Sequence, residues 1–111
     1  MTAISNTLVD GTTAVIEDTD PVTVIASIDE DQKLYITSIL VTNGIDGADT
    51  NVIIKIGAKV IATGFAQAGG GFNVPIPHDS PRTGDTDEDL TAECETTGAE
   101  VIVSASGYSG L

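Results

Sequence analysis

Lys33–Gly57 reads KLYITSILVTNGIDGADTNVIIKIG, and its two β-prone runs decide the fold class. Leu34–Thr42 and Asn51–Ile56 are filled with Ile, Val, Thr and Tyr, whose branched or aromatic side chains suit a pleated, half-buried surface. Between them, Asn43-Gly44 and Asp46-Gly47 supply residue types that tolerate positive φ and let the chain reverse. In Asn51–Ile56 the period is two: Val52, Ile54 and Ile56 share one face, Ile53 and Lys55 the other. The connection Asn43–Thr50 is longer than a two-residue turn, so the two strands either pair directly or lie in different sheets.

The same pattern continues on both sides. Upstream, Thr12–Glu17 opens the β pattern and Asp18–Pro21 breaks it. Val22–Ile28 then sets Val22, Val24, Ala26 and Ile28 against Thr23, Ile25 and Ser27. Downstream, Gly57-Ala58 predicts a tight turn into a short strand, Lys59–Thr63. Ala66–Ala68 is compatible with a helical turn, and three glycines follow, Gly69–Gly71. No Lys-Ser/Thr succeeds them and no helix pattern opens, so a phosphate-binding loop is rejected in favour of a flexible or closely packed one. Pro75 and Pro77 confine Phe72–Pro77 to a sheet edge, because neither can donate to a ladder. Asp89–Thr96 and Glu100–Ser106 read as a final strand pair. About eight short strands and no amphipathic helix predict an all-β antiparallel sandwich, in jelly-roll form. Residues 1–11 read as an N-terminal arm and residues 12–111 as a single sandwich domain.

Charge narrows the partners. Four Lys+Arg stand against seventeen Asp+Glu in 111 residues, a formal charge of −13. Such a field repels nucleic acid phosphates and anionic membrane surfaces, which excludes both as expected partners. The acids are spread along the whole chain, a distribution that fits either charge-maintained solubility or adaptation to very high salt. No basic-then-apolar leader opens the sequence and no apolar run approaches the ~20 residues of a membrane helix, so the chain is expected to be soluble as made.

Reactive groups are few. Cys94 is the sole cysteine, which rules out an internal disulfide, and it shares a face with Leu90 and Ala92 as a small buried hydrophobe. His78, Asp79 and Ser80 are adjacent in the chain and cannot form a Ser-His-Asp triad by themselves, so His78 reads as an exposed loop residue. Asp85, Asp87 and Asp89 alternate like the start of an EF-hand loop, but Leu90 stands where the glycine belongs and Thr96 where the closing acid belongs. They remain weak candidates for a looser cation site, as do Asp46 and Asp49. Arg82, the sole arginine, is read as the base of a local loop salt bridge. No catalytic residue and no cofactor site is expected, so the chain is not expected to be an enzyme.

Leu34–Thr42 is apolar on both faces, with Leu34, Ile36 and Leu40 on one and Tyr35, Ile39 and Val41 on the other. Excess aliphatics on outward faces predict self-association through Tyr35, Ile39, Val41 and Ile53. In the arm, Ile4, Leu8 and Val9 are spaced apolar anchors suited to adding a strand to a partner's sheet edge.

The phrases LYITSILVTNG, NVIIKIG, AQAGGGFNVPIP and VIVSASGYSG resemble those of small β proteins on tailed-virus particles, the capsid decoration (cement) and related virion surface proteins of phages and archaeal viruses. The resemblance covers roughly Leu34–Gly110 and rests on strand phrases and glycine positions. It implies a jelly roll or sandwich, usually trimeric, seated on a major capsid protein or other virion protein, located on the particle surface after a soluble cytoplasmic stage. The extreme acidity departs from the pattern and would suit a halophilic host. A receptor- or glycan-recognising module of a fibre, turret or cell surface is the alternative. Only Tyr35, Phe65, Phe72 and Tyr108 are present to serve it.

Overall fold

A computed structural model describes residues 6–77 and 79–111. They form an all-β sandwich of two antiparallel sheets. The strands are β1 (Thr7–Thr12), β2 (Val22–Ile25), β3 (Lys33–Asn43), β4 (Thr50–Ile56), β5 (Lys59–Ala66), β6 (Gly71–Val74), β7 (Arg82–Thr83), β8 (Leu90–Cys94) and β9 (Val101–Gly110). The first sheet runs β1-β9-β3-β6, with β7 also paired to β3, and the second runs β2-β8-β4-β5. The central strands β3 and β4 therefore lie in different sheets, one of the two arrangements their long connection allows. The last two strands, expected to pair, instead separate: β8 joins the second sheet and β9 the first.

Where alternation is unbroken, the predicted faces hold. Val52, Ile54 and Ile56 are fully buried, as are Leu90 and Ala92, with Cys94 beside them. Val101, Val103 and Ala105 complete the facing layer from β9. Three other strands depart because each carries a one-residue irregularity, and an extra residue transfers every later side chain to the opposite face. In β3 the register against β9 shifts between Ile36 and Ser38, leaving Thr37 as the inserted residue. Leu34 and Ile36 point inward before the shift, and Ile39 and Val41 point inward after it. Ile39 and Val41 are thus core residues, fully buried between the sheets, and are not available to an oligomer interface. In β2 the shift between Thr23 and Ile25 buries both Val24 and Ile25, while Ile28 comes to the surface. In β5, Ile61 is inserted opposite Lys55 and Ile54, so Ile61 and Ala62 are both buried.

Other boundaries move for identifiable reasons. The first strand spans Thr7–Thr12; beyond it Thr13 N–H still donates to Val103 O and Ile16 forms an isolated bridge to Val101. The predicted limit between arm and sandwich, after Gly11, therefore falls inside β1. Strand β5 continues through Ala66, where a helical turn was compatible with the sequence, and the Phe72 ring lies flat against Gly64, leaving no room for a Cβ there. Strand β6 stops at Val74, before Pro75, on the edge of its sheet as the prolines require. The β4–β5 hairpin turns at Gly57-Ala58, with Gly57 at φ +58°, a conformation that favours glycine.

Asn43-Gly44 and Asp46-Gly47 do not act through positive φ: among the described residues that conformation occurs only at Gly57, Gly69, Asp87 and Gly98. Asn43 is instead the last residue of β3 and is buried. Its side-chain amide donates to the carbonyls of Ala48 (2.9 Å) and Ala66 (3.1 Å), and its Oδ1 accepts from the Glu100 amide (3.0 Å). One side chain thereby ties the β3–β4 corner to β5 and β9. Gly47 is needed for space, because a Cβ there would overlap Asn43 Oδ1. The triple glycine is drawn into the same corner: Gly69 N–H donates to Gly44 O (3.0 Å) and Asn43 N–H to Gly70 O (2.8 Å). Asn43→Ala should orphan the buried Ala66 carbonyl and the partly buried Ala48 carbonyl and Glu100 amide, and cost about 2 kcal/mol, measurable by urea unfolding.

Candidate functional site: an open strand edge beside an apolar groove

The outer surfaces follow from the pairing. On the first sheet, Tyr35 and Tyr108 are directly opposed across β3 and β9, with rings stacked 4.9 Å apart and 15° from parallel. The Tyr35 hydroxyl donates to the Leu111 carbonyl at 2.6 Å. On the second sheet, Ile53 is half-buried between Glu93 of β8 and Thr63 of β5. Lys55 and Glu93 form an ion pair of 2.9 Å on that face. Phe65 and Val60 of β5, each about half exposed, extend the apolar surface there. Of the four interface residues expected from the sequence, Tyr35 and Ile53 thus occupy opposite outer faces, and Ile39 and Val41 are interior. They do not make one patch. On this face Val60 and Phe65 are exposed apolar residues that the sequence did not assign to an interface; Val60 faces out only because of the β5 irregularity, which shifts the period.

The arm residues separate in the same way. Ile4 lies outside the described residues, as does His78. Leu8 is 87% exposed on the outer face of β1, while Val9 turns inward and packs against the core. Strand β1 is already paired along its length with β9, from Thr7 opposite Ser109 to Thr12 opposite Ser104. It is therefore part of this sandwich's own sheet, and its far side forms an edge.

Beside that edge runs an open groove between the sheets, lined by Leu8, Val9, Asp10, Val24, Ile25 and Ile28 among others. Leu8 and Ile28, 53% exposed, form its lips, and the buried Val24 and Ile25 form its floor. The two sheets approach closely at one end, where a Cβ on Gly11 would overlap the Val24 carbonyl oxygen. Sequence alternation in Thr7–Thr12 was the available signal for this surface: Leu8, Asp10 and Thr12 on one side, Val9 and Gly11 on the other.

The acidic loop has a structural occupation. Asp89 Oδ1 accepts from the Ser27 amide (2.7 Å), and Asp87 Oδ1 accepts from the Ser27 hydroxyl (3.2 Å). Glu88 Oε1 accepts from the Asp85 amide (2.8 Å), and the Asp87 amide donates to Gln32 O (3.0 Å). The carboxylates of Asp87 and Asp89 are engaged by Ser27 and that of Glu88 by the Asp85 amide, and no cluster of three metal-ligating side chains occurs among the described residues. Asp85, Asp87 and Asp89 are thus not brought together as a cation site. Asp49 Oδ1 similarly accepts from the Ala68 amide (2.8 Å). Among the described residues Arg82 forms no ion pair; its guanidinium donates to the Ile61 carbonyl, linking β7 to β5 of the opposite sheet.

Cys94 is buried, and burial pushes its thiol pKa up, with the negative charge of Asp18 acting in the same direction. A thiol held protonated and covered is a poor nucleophile. Labelling by a disulfide reagent should therefore be slow in the native protein and follow unfolding. Because the folded pKa lies above the unfolded one, this group's stabilisation is complete below about pH 8.5 and declines as pH rises through the folded value.

No helix among the described residues is long and apolar enough to cross a membrane. No protein-family model and no curated protein sequence matches the chain.

Proposed function

We propose that the protein is a non-enzymatic structural component of a virus particle: a capsid decoration, or cement, protein that self-associates and clamps the shell. The observation that carries this is the strand order. β1 pairs β9, β2 pairs β8, β3 pairs β6 and β4 pairs β5, with β9–β3 and β8–β4 joining the nested pairs. We read this nested order, with β7 added beside β3, as the winding of a jelly roll, the double-sheet architecture of many viral capsid and lectin domains. The strand phrases that resemble virion surface proteins lie on β3, β4, β6 and β9, which include the central strands of both sheets. The partners are further copies of the chain, as a trimer, and the major capsid protein or another virion protein. The surface for self-association is the outer face bearing Ile53, Val60 and Phe65.

Cryo-microscopy of native particles should show a density of this size and shape on the shell surface. Recovery of the chain only from the soluble cytosol, and never with particles, would remove the proposal. Native mass spectrometry should give a trimer, and a monomer at every concentration would refute the self-association.

The acidity fits a particle assembled in concentrated salt. With −13 formal charges and one ion pair among the described residues, self-repulsion is little compensated. The melting temperature should rise as monovalent salt increases to about 1 M, where the Debye length has fallen from about 30 Å at 0.01 M to about 3 Å. A flat or falling series would overturn the salt adaptation while leaving the fold untouched.

A further inference from the structure

We propose that the edge of β1 that no described strand covers is an acceptor for an extended segment carrying lysine or arginine, which adds to the first sheet as a further antiparallel strand. The proposal is independent of the virion assignment, since it rests on the edge alone.

The hydrogen-bond parity is fixed just beyond the strand. Thr13 N–H donates to Val103 O at 2.9 Å, and the register Thr12 opposite Ser104 makes Thr13 and Val103 partners. Main-chain bonding alternates along an antiparallel pair. Gly11, Val9 and Thr7 therefore direct their amides and carbonyls to β9, while Leu8, Asp10 and Thr12 direct theirs to the open side. The contact between Thr12 Oγ1 and Ser104 Oγ, 3.1 Å, fits the closer side-chain approach of a non-hydrogen-bonded pair. Three consecutive outward-facing peptide pairs give an incoming strand a regular ladder.

Side chains define what that strand must carry. Residues opposite Leu8, Asp10 and Thr12 share the outer face with them, and the middle one meets the Asp10 carboxylate. The residue opposite Val9 points the other way, toward the groove lined by Val24, Ile25 and Ile28. An apolar side chain there covers the exposed Ile28 and completes the wall between the sheets. A second copy of β1 is a poor occupant. Antiparallel pairing in this parity about Asp10 sets Asp10 against Asp10, a like-charge pair that destabilises, and pairing about Val9 sets each Asp10 against Leu8, with no opposite charge to meet it. The chain's own −13 charge adds to that repulsion. A base opposite Asp10 reverses both effects.

The test uses the intact protein and an acetylated, amidated peptide, Val-Thr-Val-Lys-Ile-Val-Thr, with its lysine opposite Asp10 and its isoleucine opposite Val9. Titration followed by amide chemical shifts should perturb residues 7–12 together with Ile28. Replacing the peptide lysine by glutamate should weaken binding at least about tenfold. N-methylation of the lysine amide, which deletes one ladder donor, should weaken it by a similar factor, about tenfold. Asp10→Lys, a surface change that leaves the fold intact, should invert the preference between the two peptides. Equal binding of lysine and glutamate peptides, indifference to N-methylation, shifts confined to another surface, or no binding at millimolar peptide would each overturn the proposal.

Discussion

Ile39→Ala should destabilise the protein by about 3–4 kcal/mol, while Leu40→Ala, one residue along, should cost less than about 1 kcal/mol. The contrast follows from the inserted Thr37. Ile39 is fully buried between the sheets, and truncation leaves a cavity that close-packed neighbours fill only in part. Leu40 is 47% exposed on the outer face, so truncation there removes little buried area. Without the irregularity the costs would be reversed, because Leu40 would continue the Leu34–Ile36 face. Thermal melts can read the difference directly, with a fall of about 12–20 °C expected for the Ile39 variant. Equal losses at the two positions would mean that the register of β3 against β9 is not the one described.

Gly107→Val should be as damaging through the opposite mechanism. Gly107 lies buried in β9 between Val9 of β1 and Ile36 of β3. A Cβ at this position would overlap the Tyr35 carbonyl oxygen, and main chain cannot yield as a side-chain tip can. The central strand would have to part from β3 at the point where β3 already carries its inserted residue. A loss of more than about 3 kcal/mol is expected. Soluble yield and the urea midpoint check it, and a variant with a wild-type midpoint would show that the β3–β9 spacing is looser than described.

These two variants also mark what the sequence made legible. Asn51–Ile56 and Leu90–Cys94 alternate without interruption, so period two alone assigned their buried faces correctly. In β3 the aliphatics recur as Leu34, Ile36, Ile39 and Val41, a spacing of two, three, two. The spacing of three around Thr37-Ser38 is the sequence signature of the inserted residue. Read as continuous alternation, it created an apparently apolar second face and assigned Ile39 and Val41 to an interface. Gly107 looked like the end of a strand for a related reason: its role depends on a carbonyl seventy-two positions earlier, which no local pattern contains. Asn43 was legible only as a turn former, since its partners Ala66 and Glu100 come from distant parts of the chain. The groove beside β1 was hidden because it joins residues of two sheets. The aliphatics facing it, Val24, Ile25 and Ile28, follow a strand irregularity of their own.

The pairing of β1 with β9 has a consequence for how the protein is made. Thr12 and Ser104 meet across a separation of 92 residues, and the ladder extends from there to Thr7 opposite Ser109. During synthesis β1 leaves the ribosome well before its partner, with seven other described strands made between them. Until β9 follows, Leu8, Val9 and both main-chain edges of β1 stay open to any other strand, at a stage when the chain carries much of its exposed apolar surface. Closure of so long a loop is slow, and the folding rate should be that of a non-local β protein, in the range of milliseconds to seconds. The chain's net charge of −13 would, in that interval, keep nascent copies apart.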